Sequence, residues 1–156
     1  MKKVIVLSDT HGNRAAIDKL FPLFGECDFI FHLGDTSSDG QYIRSNFGEK
    51  VFLLNGNCDF MRLGDDELVY TIEGVKIFAC HGDKYGVKRT LYGLAERADE
   101  EGCAVALFGH THSATERKIG NITLFNPGNT ARYSQNSYLY LVINGDSFTG
   151  KIVNII

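Results

Sequence analysis

Tryptophan is absent from this chain of 156 residues, and proline occurs only twice, at Pro22 and Pro127. Neither proline lies in a Gly- or Ser-rich stretch and nothing repeats at a fixed period, so residues 1–156 read as a single domain. No apolar run approaches the roughly 18 residues that a membrane helix needs. Val4-Ile5-Val6-Leu7, behind Met1-Lys2-Lys3, is too short for a signal-peptide core. The expectation is a cytoplasmic protein that does not enter a membrane. The four cysteines, Cys27, Cys58, Cys80 and Cys103, form no C-x-x-C pair, and reduced thiols are expected. Basic residues are not in excess either: 16 Lys+Arg face 19 Asp+Glu, for a formal net charge of −3. That balance excludes an extended nucleic-acid surface of the usual basic kind and leaves only local recognition of phosphate.

What the chain does have is a set of five short apolar runs: Val4 to Leu7, Phe29 to Leu33, Val51 to Leu54, Val75 to Cys80 and Ala104 to Phe108. They are nearly continuous rather than alternating, as expected of strands buried on both faces. Covering helices are predicted over Asn13 to Phe24, capped by Gly12 or Asn13, over Asp39 to Asn46, stopped by Gly48, and over Lys88 to Glu101, with Gly102 past the end. Glu73-Gly74, Gly120-Asn121 and Asn144-Gly145-Asp146 each separate two strand-like segments and read as hairpin turns, making the C-terminal third antiparallel. The expected fold class is α/β, a sandwich of two mixed sheets with outer helices.

All five apolar runs end in polar, metal-competent side chains flanked by glycine. The endings are Asp9-Thr10-His11-Gly12, Gly34-Asp35, Asn55-Gly56-Asn57-Cys58-Asp59, His81-Gly82-Asp83 and Gly109-His110-Thr111-His112. In open α/β sheets ligands bind beyond the carboxyl ends of the strands, so the five endings are expected to converge. A single Asp-x-His or strand-end His is more often a hydrogen-bonded turn residue than a ligand. Four of the five histidines nevertheless fall in this ordered series. Carboxylates, an Asn carboxamide and imidazoles form an O/N donor set suited to divalent first-row metals and too large for one ion. Two ions sharing a carboxylate account for the number and are the usual device for phosphoester hydrolysis. The expected nucleophile is a metal-bound hydroxide, with no covalent intermediate.

The order Asp-x-His, Gly-Asp, Gly-Asn-x-Asp, His-Gly, Gly-His-x-His resembles the calcineurin-like metallophosphoesterases, and within them the small bacterial and archaeal phosphodiesterases of the YfcE type. The resemblance runs from Asp9 to the Asn126-Pro127-Gly128-Asn129 turn and implies a four-layer αββα sandwich. It implies that Asp9, His11 and His112 hold one metal, that Asn57, His81 and His110 hold the second, and that Asp35 bridges them. By resemblance the metal is Mn²⁺; on ligand softness Fe²⁺, Zn²⁺, Co²⁺ and Ni²⁺ suit the set as well. Many members carry His after Gly-Asn, where it protonates the leaving group or steadies the transition state. Here Cys58 stands in that place, as in the compact phosphodiesterase branch. Asn57, Cys58 and Asp59 are therefore the candidate catalytic segment, with weak acid catalysis and a preference for good leaving groups expected.

Asp59 either orients Asn57 or a ligand histidine, or caps the segment that follows. His32, inside an apolar run, reads as a satisfied core histidine. Asp65-Asp66-Glu67 reads as a solvated loop and Asp83 as a turn residue. Asn13, Arg14, Arg62, Arg89 and Arg132 are open alternatives for a phosphate clamp. The expected activity is hydrolysis of a small phosphodiester. The competing readings are a phosphomonoesterase and a non-catalytic scaffold like the retromer subunit of this fold. Exposed sheet surface or apolar hairpins can also support a homo-oligomer.

Overall fold

Along β1 (Lys2–Leu7), Val4 and Val6 turn to one face and Ile5 and Leu7 to the other, and all four are fully buried. A strand with two apolar faces needs a layer on each side. The computed structural model, which describes residues 1–156, supplies both. β1 lies at the centre of a five-stranded sheet of order β10-β9-β1-β2-β3, with β2 at Phe29–His32, β3 at Val51–Leu53, β9 at Ser137–Asn144 and β10 at Ser147–Asn154. The second sheet has the order β4-β5-β6-β8-β7, built from Glu67–Ile72, Val75–Cys80, Val105–Leu107, Ile122–Asn126 and Thr115–Ile119 respectively.

Val4, Val6, Phe31 and Leu33 of the first sheet pack against Ile77, Ala79, Val105 and Leu107 of the second. The outer face of the first sheet, including Ile5, Leu7 and Ile30, is covered by α1 (Arg14–Asp18), α2 (Phe21–Glu26) and α3 (Ser37–Phe47) through Ile17, Phe24 and Ile43. Leu94, Ala95 and Ala98 of α4 (Tyr92–Glu100) cover Phe78, Ala106 and Leu124 of the other sheet. The result is the four-layer αββα sandwich, with mixed strand directions in both sheets.

Several boundaries differ from the sequence expectation. The predicted helix over Asn13 to Phe24 is two helices, because Pro22 has no N–H to bond the carbonyl four residues back, at Asp18, where α1 ends. Asn13 caps α1, its side chain accepting from Ala16 N–H. The third predicted helix begins at Tyr92 rather than Lys88. Gly86, at φ +61°, accepts from Arg89 and Thr90 N–H, and the Thr90 hydroxyl accepts from Tyr92 N–H just where α4 starts. α3 begins earlier than predicted, at Ser37, and Gly48 at φ +74° ends it as expected.

The three hairpins form at the predicted turns, pairing Ile72 with Val75, Ile119 with Ile122 and Asn144 with Ser147. The C-terminal third is not wholly antiparallel, however: β8 runs parallel to β6, which leaves β7 at the sheet edge. The apolar Ile122-Thr123-Leu124-Phe125 takes the inner place, and Glu116-Arg117-Lys118 guards the edge. Glu67 is not loop but the first residue of β4, and Asp65 bridges to Leu54.

Candidate metal centre

Each of the five apolar strands delivers its polar ending to the same end of the sandwich. β1 leads into Asp9 and His11, β2 into Asp35, and β3 into Asn57, whereas β5 leads into His81 and β6 into His110 and His112. The site therefore straddles the seam between the sheets. Five of these residues, Asp9, His11, Asp35, His110 and His112, have φ between +44° and +71°. Such a backbone costs non-glycine residues roughly 1–3 kcal/mol each and persists only where surrounding contacts over-determine it.

Those contacts are specific. Ser8 Oγ donates to Asp9 Oδ2 at 2.6 Å, and His110 N–H donates to the same oxygen at 3.0 Å. Oδ1 is thereby turned inward, buried and without a hydrogen-bond partner. It lies 3.1 Å from His112 Nε2 and 3.9 Å from both His11 Nε2 and His81 Nε2. Asp35 is held in the same manner. Cys58 N–H donates to Oδ1 at 2.9 Å, leaving Oδ2 at 3.4 Å from His81 Nε2 and 4.0 Å from His11 Nε2. Both carboxylates thus spend one oxygen on the scaffold and aim the other into the cradle. Close approach of backbone makes this feasible: a Cβ on Gly109 would stand 2.7 Å from Asp9 Oδ2, and one on Gly56 would stand 2.0 Å from Asp35 Oδ1.

His81 is buried, and its Nδ1 lies 2.7 Å from the Leu33 carbonyl, which can only accept. The ring proton therefore sits on Nδ1, and the Nε2 lone pair faces Asn57 Oδ1 at 2.9 Å. The Asn57 amide nitrogen points the other way, to Cys58 Sγ at 3.7 Å. His110 stacks edge-on to His81, ring centroids 5.1 Å apart, and His11 lies 5.3 Å from His112. Burial opposes ionisation of Asp35, but the closeness of His81 and the hydrogen bond from Cys58 N–H outweigh it and hold this carboxyl well below the usual carboxylate range. Burial likewise pulls the His81 pKa down, yet contact with Asp35 and the charges of Asp9 and Asp35 raise it overall. His110 is lowered by burial and then by the neighbouring His81 and Lys88 charges. The Cys58 thiol, although exposed, is pushed up by partial desolvation and by Asp35.

This donor set fits divalent cations. An unpartnered buried carboxylate oxygen carries a desolvation penalty that a cation removes. The Nε2 lone pair of His81 and the Oδ1 of Asn57, 2.9 Å apart, repel one another unless positive charge lies between them. Two groups stand out, Asp9–His11–His112 and Asp9–Asp35–His81, each with its ligand atoms within 4.8 Å of one another. They share Asp9, and Asp35 Oδ2 stands between His81 and His11.

The neighbouring segments hold the cradle in place. Asp59 touches neither Asn57 nor a ligand histidine: its Oδ2 accepts from Asp35 and Gly56 N–H, and its Oδ1 from Ser37 N–H, the first residue of α3. It is a positioning residue and caps a helix other than the segment that follows it. Asn126 donates to Gly109 carbonyl and Thr111 hydroxyl, and Asn129 to the His112 carbonyl, so the Asn126-Pro127-Gly128-Asn129 turn does flank the site. Two contributors carried no sequence signal. Ser8 fixes Asp9, and Asp39, buried in α3, accepts from Thr10 hydroxyl and Gly12 N–H beneath the His11 loop. Of the clamp candidates, Asn13 is spent on Ala16 and Thr130, Arg14 on Asp39 and the Tyr42 ring, and Arg62 on Asp66, whereas Arg89 and Arg132 stay exposed.

Comparison with known proteins agrees with this architecture. The calcineurin-like phosphoesterase superfamily domain matches residues 1–146. YsnB of Bacillus subtilis, named a probable metallophosphoesterase, is 31% identical over 151 residues, covering 94% of this chain and 87% of its own. The phosphodiesterase YfcE of Escherichia coli is 26% identical, covering 84% of this chain and 80% of its own. A predicted phosphoesterase from Streptococcus pneumoniae superposes with a TM-score of 0.83 at 26% identity, covering 98% of this chain and 89% of the other. No helix in the fold is long and apolar enough to cross a membrane. A chain with this sandwich, and with Asp, Asn and His gathered at the seam of its sheets, belongs to the calcineurin-like phosphoesterase superfamily.

Proposed function

We propose that the protein is a metal-dependent phosphodiesterase that uses two divalent cations, Mn²⁺ in the first instance. Asp9, His11 and His112 would hold one ion, Asn57, His81 and His110 the other, with Asp35 shared. The observation that carries the reading is the orphaned, buried Oδ1 of Asp9 facing three histidines. Two such ions supply Lewis acidity, which lowers the pKa of water and neutralises phosphate charge. The chain supplies the geometry: Ser8 and His110 N–H fix Asp9, Cys58 N–H fixes Asp35, and Leu33 carbonyl fixes the His81 tautomer. Cys58 stands at the rim with an exposed thiol where many family members carry an imidazole. A thiol gives the departing oxygen little help, which favours aryl diesters over alkyl esters. The name of the relative YfcE supports a diester over a monoester.

The test strips the protein with a chelator and assays bis(p-nitrophenyl) phosphate beside p-nitrophenyl phosphate while Mn²⁺ is titrated back. Diester hydrolysis that returns only with metal and saturates near two ions per chain is expected. Asp35→Asn and His81→Ala should each lose on the order of 100-fold or more, since even residues behind the ligands are worth 10–100-fold. Preference for the monoester would instead make the protein a phosphomonoesterase, and silence on both with metal bound would favour a scaffold.

A further inference from the structure

A cleft of about 290 Å³ opens at His112 and is lined by His112, Ser113, Ala114, Gln135, Ser137 and Asn154. It lies where the ends of the two sheets meet, between the segment before β7 and the paired ends of β9 and β10, Ser137 opposite Asn154. Apart from the imidazole of His112, the lining carries no ionisable side chain: hydroxyls, carboxamides and one methyl make up the rest.

Hydrogen bonds hold the floor of the cleft at Ser137 and Asn136. Ser137 Oγ donates to Pro127 carbonyl at 2.7 Å and packs against Gly128, where a Cβ would meet that oxygen at 2.1 Å and Ala114 at 3.4 Å. Ile155 N–H donates to the Asn136 carbonyl at 2.9 Å, and Asn136 is itself tied to Ala131 and Asn13. That backbone bond joins the residues adjoining Gln135 and Asn154, and both side chains line the same cleft. Neither carboxamide, nor the Ser113 hydroxyl, is used to hold the fold. Hydrogen-bonding side chains that the fold leaves free are available to a ligand, at the cost of ordering each of them.

We propose that this cleft is the binding site for a neutral, hydroxyl-rich arm of the substrate, a glycerol or ribose ester, while the phosphate sits at the His112 side of the cradle. The inference rests on the phosphodiesterase reading above and deepens it. Ligand pockets for whole drug-sized molecules start at about 300 Å³. At about 290 Å³ this cleft admits a sugar or polyol, and apart from His112 its lining offers no aromatic face on which a base could stack. The absence of Lys, Arg, Asp and Glu from its lining argues against a second phosphate or a choline-like cation there.

The test uses the Mn²⁺-loaded protein with Gln135→Ala, Asn154→Ala and the double variant, on glycerophosphoglycerol, on uridine 3′-phosphate methyl ester and on bis(p-nitrophenyl) phosphate. Each lost hydrogen bond is worth a factor of roughly three. The double variant should therefore lower kcat/KM for the polyol or ribose diester about tenfold relative to the aryl diester, through KM and not kcat. The diester that shows the larger change identifies the arm as glycerol or ribose. A second readout does not depend on turnover: the side-chain amide NMR signals of Gln135 and Asn154 should shift saturably as glycerophosphoglycerol or the uridine ester is added to wild-type protein loaded with diamagnetic Zn²⁺. Equal loss on all three diesters, or amide signals that stay still with both, would overturn the proposal. If the amides shift while no diester is hydrolysed, the cleft stands and the phosphodiesterase reading falls. If bis(p-nitrophenyl) phosphate is hydrolysed and the amides stay still, the reverse holds.

Discussion

His32 shows how one buried side chain can fix its own protonation state. The Thr10 hydroxyl has one proton, and Asp39 Oδ2 takes it at 2.6 Å. The 3.0 Å contact between Thr10 Oγ1 and His32 Nε2 must then be donated by the ring, which leaves Nδ1 to accept from Gly34 N–H at 3.2 Å. Every polar position of the neutral imidazole is filled, and a second ring proton would point at an N–H. Burial lowers the His32 pKa in the same sense, opposed in part by the charges of Asp39, Asp9 and Asp59. In the unfolded chain a histidine takes up its proton below about pH 6.5. Below that pH the unfolded state binds the extra proton and the folded state does not, so stability falls with pH until the folded pKa is passed. The urea midpoint of the wild type should accordingly fall more steeply between about pH 6.5 and 5 than that of His32→Gln. Parallel curves for the two proteins would show that His32 does not carry the effect.

At the scale of elements, the β3–β4 connection is the part on which the site most depends. Asp59 ties three backbone N–H groups, those of Asp35, Gly56 and Ser37, and so joins the loop after β2, the loop after β3 and the start of α3. Asp59→Ala would leave these donors unpaired in a buried place, at a cost of about 3 kcal/mol. The urea midpoint should drop accordingly and Mn²⁺ affinity should fall with it, because Asp35 and Asn57 lose their common anchor. Loss of stability with unchanged metal affinity would reduce Asp59 to a helix cap.

Sequence reading locates the five strands and the polar endings that they bring to one end of the sandwich, because a continuous apolar run followed by Gly and a polar residue is a local signal. It joins α1 to α2, because the stripe Ala16, Ile17, Leu20, Phe21, Phe24 continues through Pro22 and only the backbone at Asp18 registers the break. The partners of Asp59 and the role of Asp39 are out of reach for another reason. A carboxylate that serves backbone amides on distant segments leaves no pattern in the residues it serves. The same holds for the parallel pairing of β8 with β6, which depends on contacts between distant segments.

The whole molecule brings metal-competent side chains from two sheets to one end of the sandwich. Asp9, His11, Asp35 and Asn57 follow strands of the first sheet, and His81, His110 and His112 follow strands of the second. Between the sheets lies an apolar core of 15 buried residues, and at the end where the metal-competent side chains meet the layers are joined by His110 N–H on Asp9 and by His81 on the Leu33 carbonyl. Cations bound there would cross-link the layers at that end, and a ligand that binds only the folded state stabilises it by mass action. At 100 times the dissociation constant one ion contributes about 2.7 kcal/mol. For a chain of this size that corresponds to a rise in Tm of about 5–10 °C. Mn²⁺ should therefore raise the Tm of chelator-stripped protein, and excess chelator should reverse the rise. Mg²⁺ should do less, since it favours all-oxygen shells and this set is rich in imidazole. In His81→Ala, which removes a donor of the second sheet, the Mn²⁺ shift should shrink to a small fraction of its wild-type size. A full shift in that variant would mean that the stabilising ion lies away from the seam.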